Sequence, residues 1–342
     1  MSFYNEFLTE NPRDFDFKDG RAVLLGAFGK HPGWDDHVEE NPKVPDLGLR
    51  STTLACAKTL LYVQGVGRNI DLGVWEKLGA DEALPGFDHT FIWQNENAYV
   101  IGMMWSSSDG KGRKRYPMVL IAHALGVSLH WILAVAMPRL VLLRGECEQL
   151  TAATEVGAAL DRSRIFLNEA LAEDGRSHPS ARDLLPRFIR HPRFAPGHDG
   201  LLRVLYRLQT QAGSFAPGAF SSKNAGIGAD LRLPAAGNVA SDIFANWSEL
   251  LRNYVDPAVP FLLILPAGAD YIDLIIGEPA PEHFFCLRAN SRRLPSVSQI
   301  QFRLDDGFRS KAEAQLDAIS RGETPAGSRS RMPRWFGALF KA

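Results

Sequence analysis

The segment GAFGKHPGWDDHVEE, residues 26–40, gathers side chains that could bind an ion or take part in catalysis. Two imidazoles and two carboxylates lie within seven residues, on His31, Asp35, Asp36 and His37. Such ligands suit a divalent metal ion that activates a water molecule for hydrolysis. Their spacing matches no defined metal motif, so a metal-dependent hydrolase is one alternative. The other is that Asp35 or Asp36 caps a helix that begins near His37.

The same segment does not fit a phosphate-binding loop. Such a loop needs GxxxxGK followed by Ser or Thr, because backbone amides hold the phosphates and the hydroxyl binds magnesium. Gly29 and Lys30 are present, but Leu24 stands at the first glycine position and His31 replaces the hydroxyl. The chain also lacks a nucleophile elbow, an HExxH motif and a dinucleotide fingerprint. We therefore predict no catalytic residue and no cofactor.

Composition narrows the classes of protein to which the chain can belong. Its 342 residues are 45% hydrophobic and 23% charged, which is typical of a globular protein. The net charge of -1 gives no reason to expect nucleic acid or an anionic membrane as a partner. Three scattered cysteines are too few for a disulfide framework, and no apolar run approaches the ~20 residues that span a bilayer. We expect a cytoplasmic protein without a transmembrane segment.

Hydrophobic patterning predicts strands that alternate with helices, and therefore an α/β fold. In the first third we predict a helix at 47–63, stopped by Gly65 and Gly67, and strands at 22–28, 89–93, 98–105 and 116–124. Later elements are a helix at 242–254, strands near 260–265 and 271–277, and a helix near 307–319. Residues 212–233 are rich in glycine and serine and predict a long loop or lid.

This patterning divides the chain into four segments. We predict an N-terminal α/β core at 1–128, a mainly helical segment with the Gly/Ser-rich loop at 129–235, a second α/β segment packed on the core at 236–320, and a flexible basic and aromatic tail at 321–342.

A second polar loop resembles the first in its setting. The stretch SSSDGKGRKRYPMVL, residues 106–120, leads into a predicted strand, whereas residues 26–40 leave one. Both carry Lys or Arg beside Gly and an aromatic residue or Pro. Because loops at strand ends often carry function on a rigid scaffold, we expect both to reach the same edge of one sheet.

These two loops resemble the motifs of TagF, an accessory family of bacterial type VI secretion systems. The first match is Gly26-x-Phe28-Gly29-Lys30-x-Pro32 followed by Asp36-x-Val38. The second is Ser107-x-Asp109, then Gly112-Arg113-x-x-Tyr116-Pro117-Met118. The resemblance covers about the first 125 residues and includes a tryptophan-bearing strand pair between the two motifs.

The resemblance implies a fold and a function. It implies an αβα sandwich, for which we expect a mixed central sheet, and a non-enzymatic role in the cytoplasm. Members of the family regulate type VI secretion by protein binding, in a pathway with a forkhead-associated (FHA) scaffold, a Ser/Thr kinase and a PP2C-type phosphatase. We therefore expect a protein partner, for which the resemblance suggests an FHA-domain scaffold, and we expect neither nucleic acid nor a cofactor.

The candidate partner-binding residues come from both loops. A binding surface needs exposed aromatic and arginine anchors on a rigid edge, which Trp34, Arg113, Arg115 and Tyr116 could supply. The alternatives are that residues 113–115 form a solvated basic turn and that Tyr116 begins a buried strand. The full predicted set is Lys30, Trp34, Asp36, Arg113, Arg115 and Tyr116.

Overall fold

The computed structural model of the protein describes residues 20–34, 47–94, 98–173, 181–195, 198–212, 229–252, 254–255 and 259–321. Several sequence-based predictions fall outside this part of the chain. They are those on Asp35, Asp36 and His37, and on the tail from residue 322 onward.

The described residues form one seven-stranded sheet in the order β1-β4-β3-β2-β6-β7-β5. The strands are β1 (Ala22–Gly29), β2 (Asp88–Gln94), β3 (Ala98–Ser106), β4 (Pro117–Leu125), β5 (Ala229–Pro234), β6 (Phe261–Pro266) and β7 (Tyr271–Ile276). Every described pairing is antiparallel, so the expectation of a mixed sheet is wrong. Short connections join β2 to β3, β3 to β4 and β6 to β7, and such connections reverse the chain direction.

Helices cover both faces of the sheet, which confirms the α/β class and the αβα sandwich. They are α1 (52–71), α2 (129–149), α3 (Ala153–Ala170), α4 (Ala181–Ile189), α5 (Asp199–Ala212), α6 (Ala240–Leu251) and α7 (Asp306–Ser320). α1 and α2 each contain a middle stretch with wider, π-type turns, at Thr59–Gly67 and Ile132–Ala136. Short 3₁₀ turns lie at Trp75–Lys77, Leu171–Glu173, Pro192–Phe194, Pro281–Leu287 and Val297–Gln299.

Strand alternation divides the core into two layers. In β4, Val119 and Ile121 face α1 and the 281–287 turn, whereas Leu120 and Ala122 face the layer of helices α2 to α7. Successive strand side chains point to opposite faces, and both faces here are apolar. The strands are therefore buried on both faces of the sheet. Groups that contact solvent or a ligand are expected where strands end and at the sheet edges.

The helix predicted at 47–63 is longer and shifted. Ser51 caps its N-terminus by accepting a hydrogen bond from the amide of Leu54, and the helix then runs through to Asp71. Gly65 and Gly67 were expected to end it, and that prediction is wrong. A Cβ on Gly65 would lie 2.8 Å from the ring of Phe284, so this glycine serves close packing rather than helix termination.

The predicted loop at 212–233 also needs correction, because its end is strand β5, whose Leu231 and Leu233 side chains are buried. Residues 213–228 lie outside the described part. Strand β6 pairs with β2, so strands of the predicted segments 1–128 and 236–320 belong to one sheet. Among the described helices, none is both long enough and apolar enough to cross a membrane.

Candidate partner-binding surface

The two polar loops meet at one edge of the sheet, as the sequence predicts. Gly29, at the end of β1, pairs with Met118 at the start of β4. Beyond this pair the amide of Lys30 donates to the carbonyl of Pro117 at 3.0 Å, and the amide of Gly110 donates to the carbonyl of Trp34 at 3.0 Å. The loops therefore form one structural unit beyond the ends of two paired strands.

Gly29 is required for this meeting. Its φ of +100° is a backbone conformation that favours glycine, and a Cβ there would lie 2.1 Å from the carbonyl oxygen of Pro117. Pro117 is the first residue of β4, a position that suits its lack of an amide donor. Glycine and proline thus bring the two backbones into contact.

A buried ion pair between Lys30 and Asp109 joins the two loops beneath their surface. The ammonium of Lys30 lies 2.9 Å from Oδ2 of Asp109, and the two side chains are 2% and 0% exposed. The same oxygen accepts a hydrogen bond from Nε of Arg113 at 2.6 Å. A buried charge is tolerated when it is paired and hydrogen-bonded, and Asp109 meets both conditions.

The other oxygen of Asp109 organises the loop that follows it. Oδ1 accepts hydrogen bonds from the amides of Lys111 and Arg113, each at 3.0 Å. Burial alone would raise the pKa of Asp109, but the hydrogen bonds from Lys30, Arg113 and the Lys111 amide outweigh it and hold the pKa well below its usual range. Asp109 is therefore a fixed anion that shapes residues 109–113, not a group that exchanges protons near neutral pH.

Trp34 does not occupy the place predicted for it. We expected an exposed aromatic anchor, but Trp34 is 6% exposed, and its indole nitrogen donates to the carbonyl of Gly29 at 2.6 Å. Its ring packs on the imidazole of His31, with centroids 4.6 Å apart. Trp34 fills the space beneath the loop, because the indole has both a large apolar surface to bury and an NH that finds a partner there.

Both nitrogens of His31 are engaged within the protein. Nδ1 accepts a hydrogen bond from the amide of Gly33 at 2.9 Å, so Nε2 carries the proton and donates to the carbonyl of Cys147 at 2.9 Å. Burial lowers the pKa of His31, although the bond to Cys147 opposes the shift. In this arrangement His31 offers no lone pair to a metal ion. Within the described ranges no cluster of three or more potential metal ligands is found.

The outer surface of this unit is cationic. Lys111, Lys114 and Arg115 are exposed, and the Arg113 side chain is 37% exposed. Arg115 reaches across to the end of α1 and the turn that follows it: its guanidinium donates to the carbonyl of Ile70 at 3.0 Å and lies 2.6 Å from a carboxylate oxygen of Glu76 in the Trp75–Lys77 turn. We name residues 111–116 the basic loop. Each of its arginines has an acidic partner, Asp109 for Arg113 and Glu76 for Arg115, although the second pair is exposed to solvent.

Aromatic rings support one end of the basic loop. Tyr116 is half-buried and lies against Tyr62 of α1, with ring centroids 5.6 Å apart. Tyr62 in turn meets Phe28 edge-on at 5.4 Å. The sequence left open whether Tyr116 is an exposed anchor or the start of a buried strand. In the structure it directly precedes β4 and is half-buried, so neither alternative describes it fully.

Sequence analysis missed two contributors to this surface and undervalued a third. Glu76 and Tyr62 come from α1 and the turn that follows it, and nothing in their local sequence marks them. Asp109 lies in the Ser107-x-Asp109 motif but was not chosen as a site residue. The available signal was an acidic residue followed by glycines and cations, a pattern typical of a turn closed by its own carboxylate.

Comparison with protein-family models, curated proteins and solved structures yields no match for this chain. The assignment of function therefore depends on the chemistry of the surface. Its internal acid and imidazole are engaged in fixed hydrogen bonds, and its accessible groups are cations and a tyrosine. Such groups are suited to binding acidic or hydrogen-bonding surfaces.

Proposed function

We propose that this protein is a cytoplasmic, non-enzymatic regulator that acts by binding another protein through the basic loop. The resemblance to TagF suggests the setting, which is control of type VI secretion with an FHA-domain scaffold as the partner. The observation that carries the proposal is the buried contact of Lys30 and Arg113 with Asp109. It holds the backbone of residues 109–113 rigid while the neighbouring cations remain at the surface.

Rigidity matters because binding must overcome the loss of conformational freedom. Ordering a long side chain at an interface costs about 0.5–1.5 kcal/mol, and a loop that is already fixed avoids much of that cost. Arg115 is held by Glu76 and by the Ile70 carbonyl before any partner arrives. Arginine and tyrosine are also enriched among the residues that dominate binding energy. The surface thus has the residue types of a recognition site, and its backbone is ordered before a partner binds.

The state of the ionisable groups favours binding over catalysis. A general base works best with a pKa near the operating pH, whereas the pKa of Asp109 is depressed by its donors. His31 is neutral and has both nitrogens engaged. A metal-dependent hydrolase built on His31, Asp35, Asp36 and His37 would require His31 to leave these bonds.

The test is retention of a partner from a lysate of type VI secretion-competent cells. The wild-type protein should retain an FHA-domain protein, and the surface variant Lys114→Ser/Arg115→Ser should lose it. The matched control is Arg292→Ser/Arg293→Ser, which removes the same charge from two exposed residues elsewhere. Neither double variant touches Asp109, so both should fold.

Metal analysis on the same sample separates the two functions. Equal retention by the surface variant and the wild type would refute binding through the basic loop. One tightly held divalent ion per chain, with no partner retained, would instead favour the hydrolase.

A further inference from the structure

A cleft of about 450 Å³ lies near the opposite edge of the sheet, where β5 and β7 meet the segment 289–302. Its volume is in the range typical of small-molecule sites. Unlike most such sites, its walls consist largely of hydroxyl and amide side chains. They include Tyr271, Ser291, Ser296, Ser298, Gln299 and Gln301. This wall is far from the basic loop in the sheet order and has a different chemistry.

Arg232 of β5 holds one end of the segment 289–302 in place. Its side chain is 3% exposed and forms a bidentate pair with Asp273, with distances of 2.7 and 2.9 Å. The same guanidinium donates to the carbonyls of Ala289 at 2.9 Å and Leu294 at 3.1 Å. Its carbon lies 3.7 Å from the centre of the Tyr271 ring, so one buried cation supports both the segment and a wall of the cleft.

Arg203 of α5 holds the other end. Its guanidinium donates to the carbonyls of Ile300 at 3.0 Å and Phe302 at 2.9 Å, while Asp199 accepts from its Nε at 2.9 Å. The segment has one short 3₁₀ turn, at Val297–Gln299, and a turn in which the Leu294 amide donates to the Asn290 carbonyl at 3.0 Å. The two arginines therefore anchor both ends of an irregular segment, together with Asn290, whose amide donates to the Glu82 carbonyl at 2.8 Å and whose side chain donates to the Asp81 carbonyl at 2.7 Å.

The charges at the cleft cancel. Arg193 lies at its rim, 3.7 Å from a carboxylate oxygen of Asp270, and donates to the Asp270 carbonyl at 3.3 Å. Among the described lining residues, these two supply the formal charges. The remaining polar side chains can donate and accept hydrogen bonds, and three contacts already use them within the protein: Ser296 with Ser298 at 2.9 Å, Tyr271 to the Ala289 carbonyl at 3.4 Å, and Arg203 to Gln301 at 3.3 Å. This arrangement matches a neutral ligand that also donates and accepts at many points.

We propose that this cleft binds a small, uncharged molecule rich in hydroxyl groups, of the saccharide class. A sugar presents neighbouring hydroxyls that pair with alternating serine and amide groups. A charged ligand would meet no unbalanced counter-charge, and an apolar ligand would displace water from the exposed Ser291 and Gln299 side chains without replacing its hydrogen bonds. The proposal concerns a second site and does not depend on partner binding by the basic loop.

The experiment is ligand-observed saturation-transfer NMR on the full chain, with glucose, N-acetylglucosamine and maltose as uncharged probes. Glucuronic acid and glucose 6-phosphate serve as charged analogues. The test variant is Ser298→Val/Gln299→Leu, which keeps the volume of the two side chains similar but removes their hydrogen bonds. Gln299→Leu alone, at an exposed position, is the second variant in case the double variant fails to fold.

The control variant is Arg292→Gln. Arg292 belongs to the same segment, but it pairs with Asp81 at 2.6 Å and does not line the cleft. We expect at least one uncharged sugar to bind with a millimolar Kd, with about tenfold weaker binding in the test variants, as loss of about one hydrogen bond predicts. The control should bind like the wild type.

Three results would overturn the proposal. The first is the absence of saturable binding of any uncharged probe up to about 20 mM, a concentration that would saturate a site with a Kd of a few millimolar. The second is unchanged binding in the test variants. The third is tighter binding of the charged analogues, which would assign the cleft to anions.

Discussion

Buried ion pairs lie near both edges of the sheet, and their surroundings differ. Beyond β1 and β4, Asp109 is buried against Lys30 and Arg113. Beside β5 and β7, Asp273 is buried against Arg232. At the first end one carboxylate serves two cations and the surface above it is positive. At the second end one carboxylate is matched by one guanidinium, and the lining of the nearby cleft combines one Arg and one Asp with neutral polar side chains.

The pKa values of the two carboxylates shift in opposite directions. Burial raises the pKa of Asp273, although the charge and hydrogen bonds of Arg232 oppose this. For Asp109 burial acts in the same sense, but four hydrogen bonds from Lys30, Arg113 and the Lys111 amide reverse the outcome. The balance between burial and hydrogen bonding therefore differs between the two carboxylates: burial dominates at Asp273 and the donors dominate at Asp109. Asp109 organises an outer loop through its four hydrogen bonds, whereas Asp273 lies in the core with Arg232 and Cys286 as its side-chain partners.

Removing the cation of the buried Arg232–Asp273 pair should have the largest effect on stability. Arg232→Met leaves the carboxylate of Asp273 buried without its partner, so we expect the free energy of unfolding to fall by about 4 kcal/mol. Urea unfolding at pH 7 measures this. The control Arg292→Met removes an arginine that is 69% exposed and should change stability by less than about 0.5 kcal/mol. A loss below about 1 kcal/mol for Arg232→Met would show that the pair does not hold this end together.

Acidification should weaken the sheet between the two ends. His89 in β2 and His123 in β4 are each 1% exposed, and burial lowers the pKa of each to about 4. In the unfolded chain both titrate near 6.5, so below that pH the unfolded state binds more protons and stability falls as pH drops toward 4. Each residue should account for a loss of about 3 kcal/mol over this range.

Urea unfolding at pH 7.0, 5.5 and 4.5 tests the histidine prediction. His89→Gln should reduce the dependence on pH without abolishing it, because His89 can no longer titrate whereas the buried His123 and His31 still can. A free energy of unfolding that is constant from pH 7.0 to 4.5 would contradict the assignment of both histidines as buried and neutral. The Asp109 carboxylate does not interfere with this measurement. Because its pKa is depressed in the folded protein, the stability that it contributes is lost only below about pH 4.

Lys30 and Arg113 should differ in their effects although they share one carboxylate. Lys30 is 2% exposed, so Lys30→Met removes a buried charge-assisted hydrogen bond and should cost about 2 kcal/mol. Arg113 is 37% exposed, and Arg113→Gln should cost less than about 1 kcal/mol. Thermal unfolding of the two variants side by side measures the difference. Equal losses would mean that Asp109 does not distinguish an inner from an outer cation.

The fold was predictable from local patterns to a large extent. Runs such as 22–28 and 271–277 are apolar enough to mark buried strands, and both are strands in the structure. The antiparallel direction of strand pairing was not predictable. It depends on which strands become neighbours and on the connections between them, and the sequence of a single strand does not show either. Gly65 shows another limit. Its role depends on Phe284, more than 200 residues away, and a local rule mistook it for a stop signal.

The candidate surface was predictable in position but not in detail. Both loops were identified, and their meeting at one edge followed from the strands that they flank. The orientation of each side chain was not available from the sequence. Trp34 lies inward because the Gly29 carbonyl and the His31 ring form its pocket, and these contacts exist only once the loop is closed. Arg115 gains its position from Glu76, which the sequence places 39 residues away.

The most direct test of partner binding is the affinity of the purified protein for a purified FHA-domain scaffold of a type VI secretion system, measured by calorimetric titration at low and high salt. Lys114→Ser/Arg115→Ser should leave the free energy of unfolding within about 0.5 kcal/mol of wild type, since both residues are exposed. It should nevertheless weaken binding at least tenfold at low salt, and the difference should shrink at high salt as screening increases. Equal affinity of the variant and the wild type, or no binding by either, would contradict the assignment of the basic loop as a recognition surface for that partner.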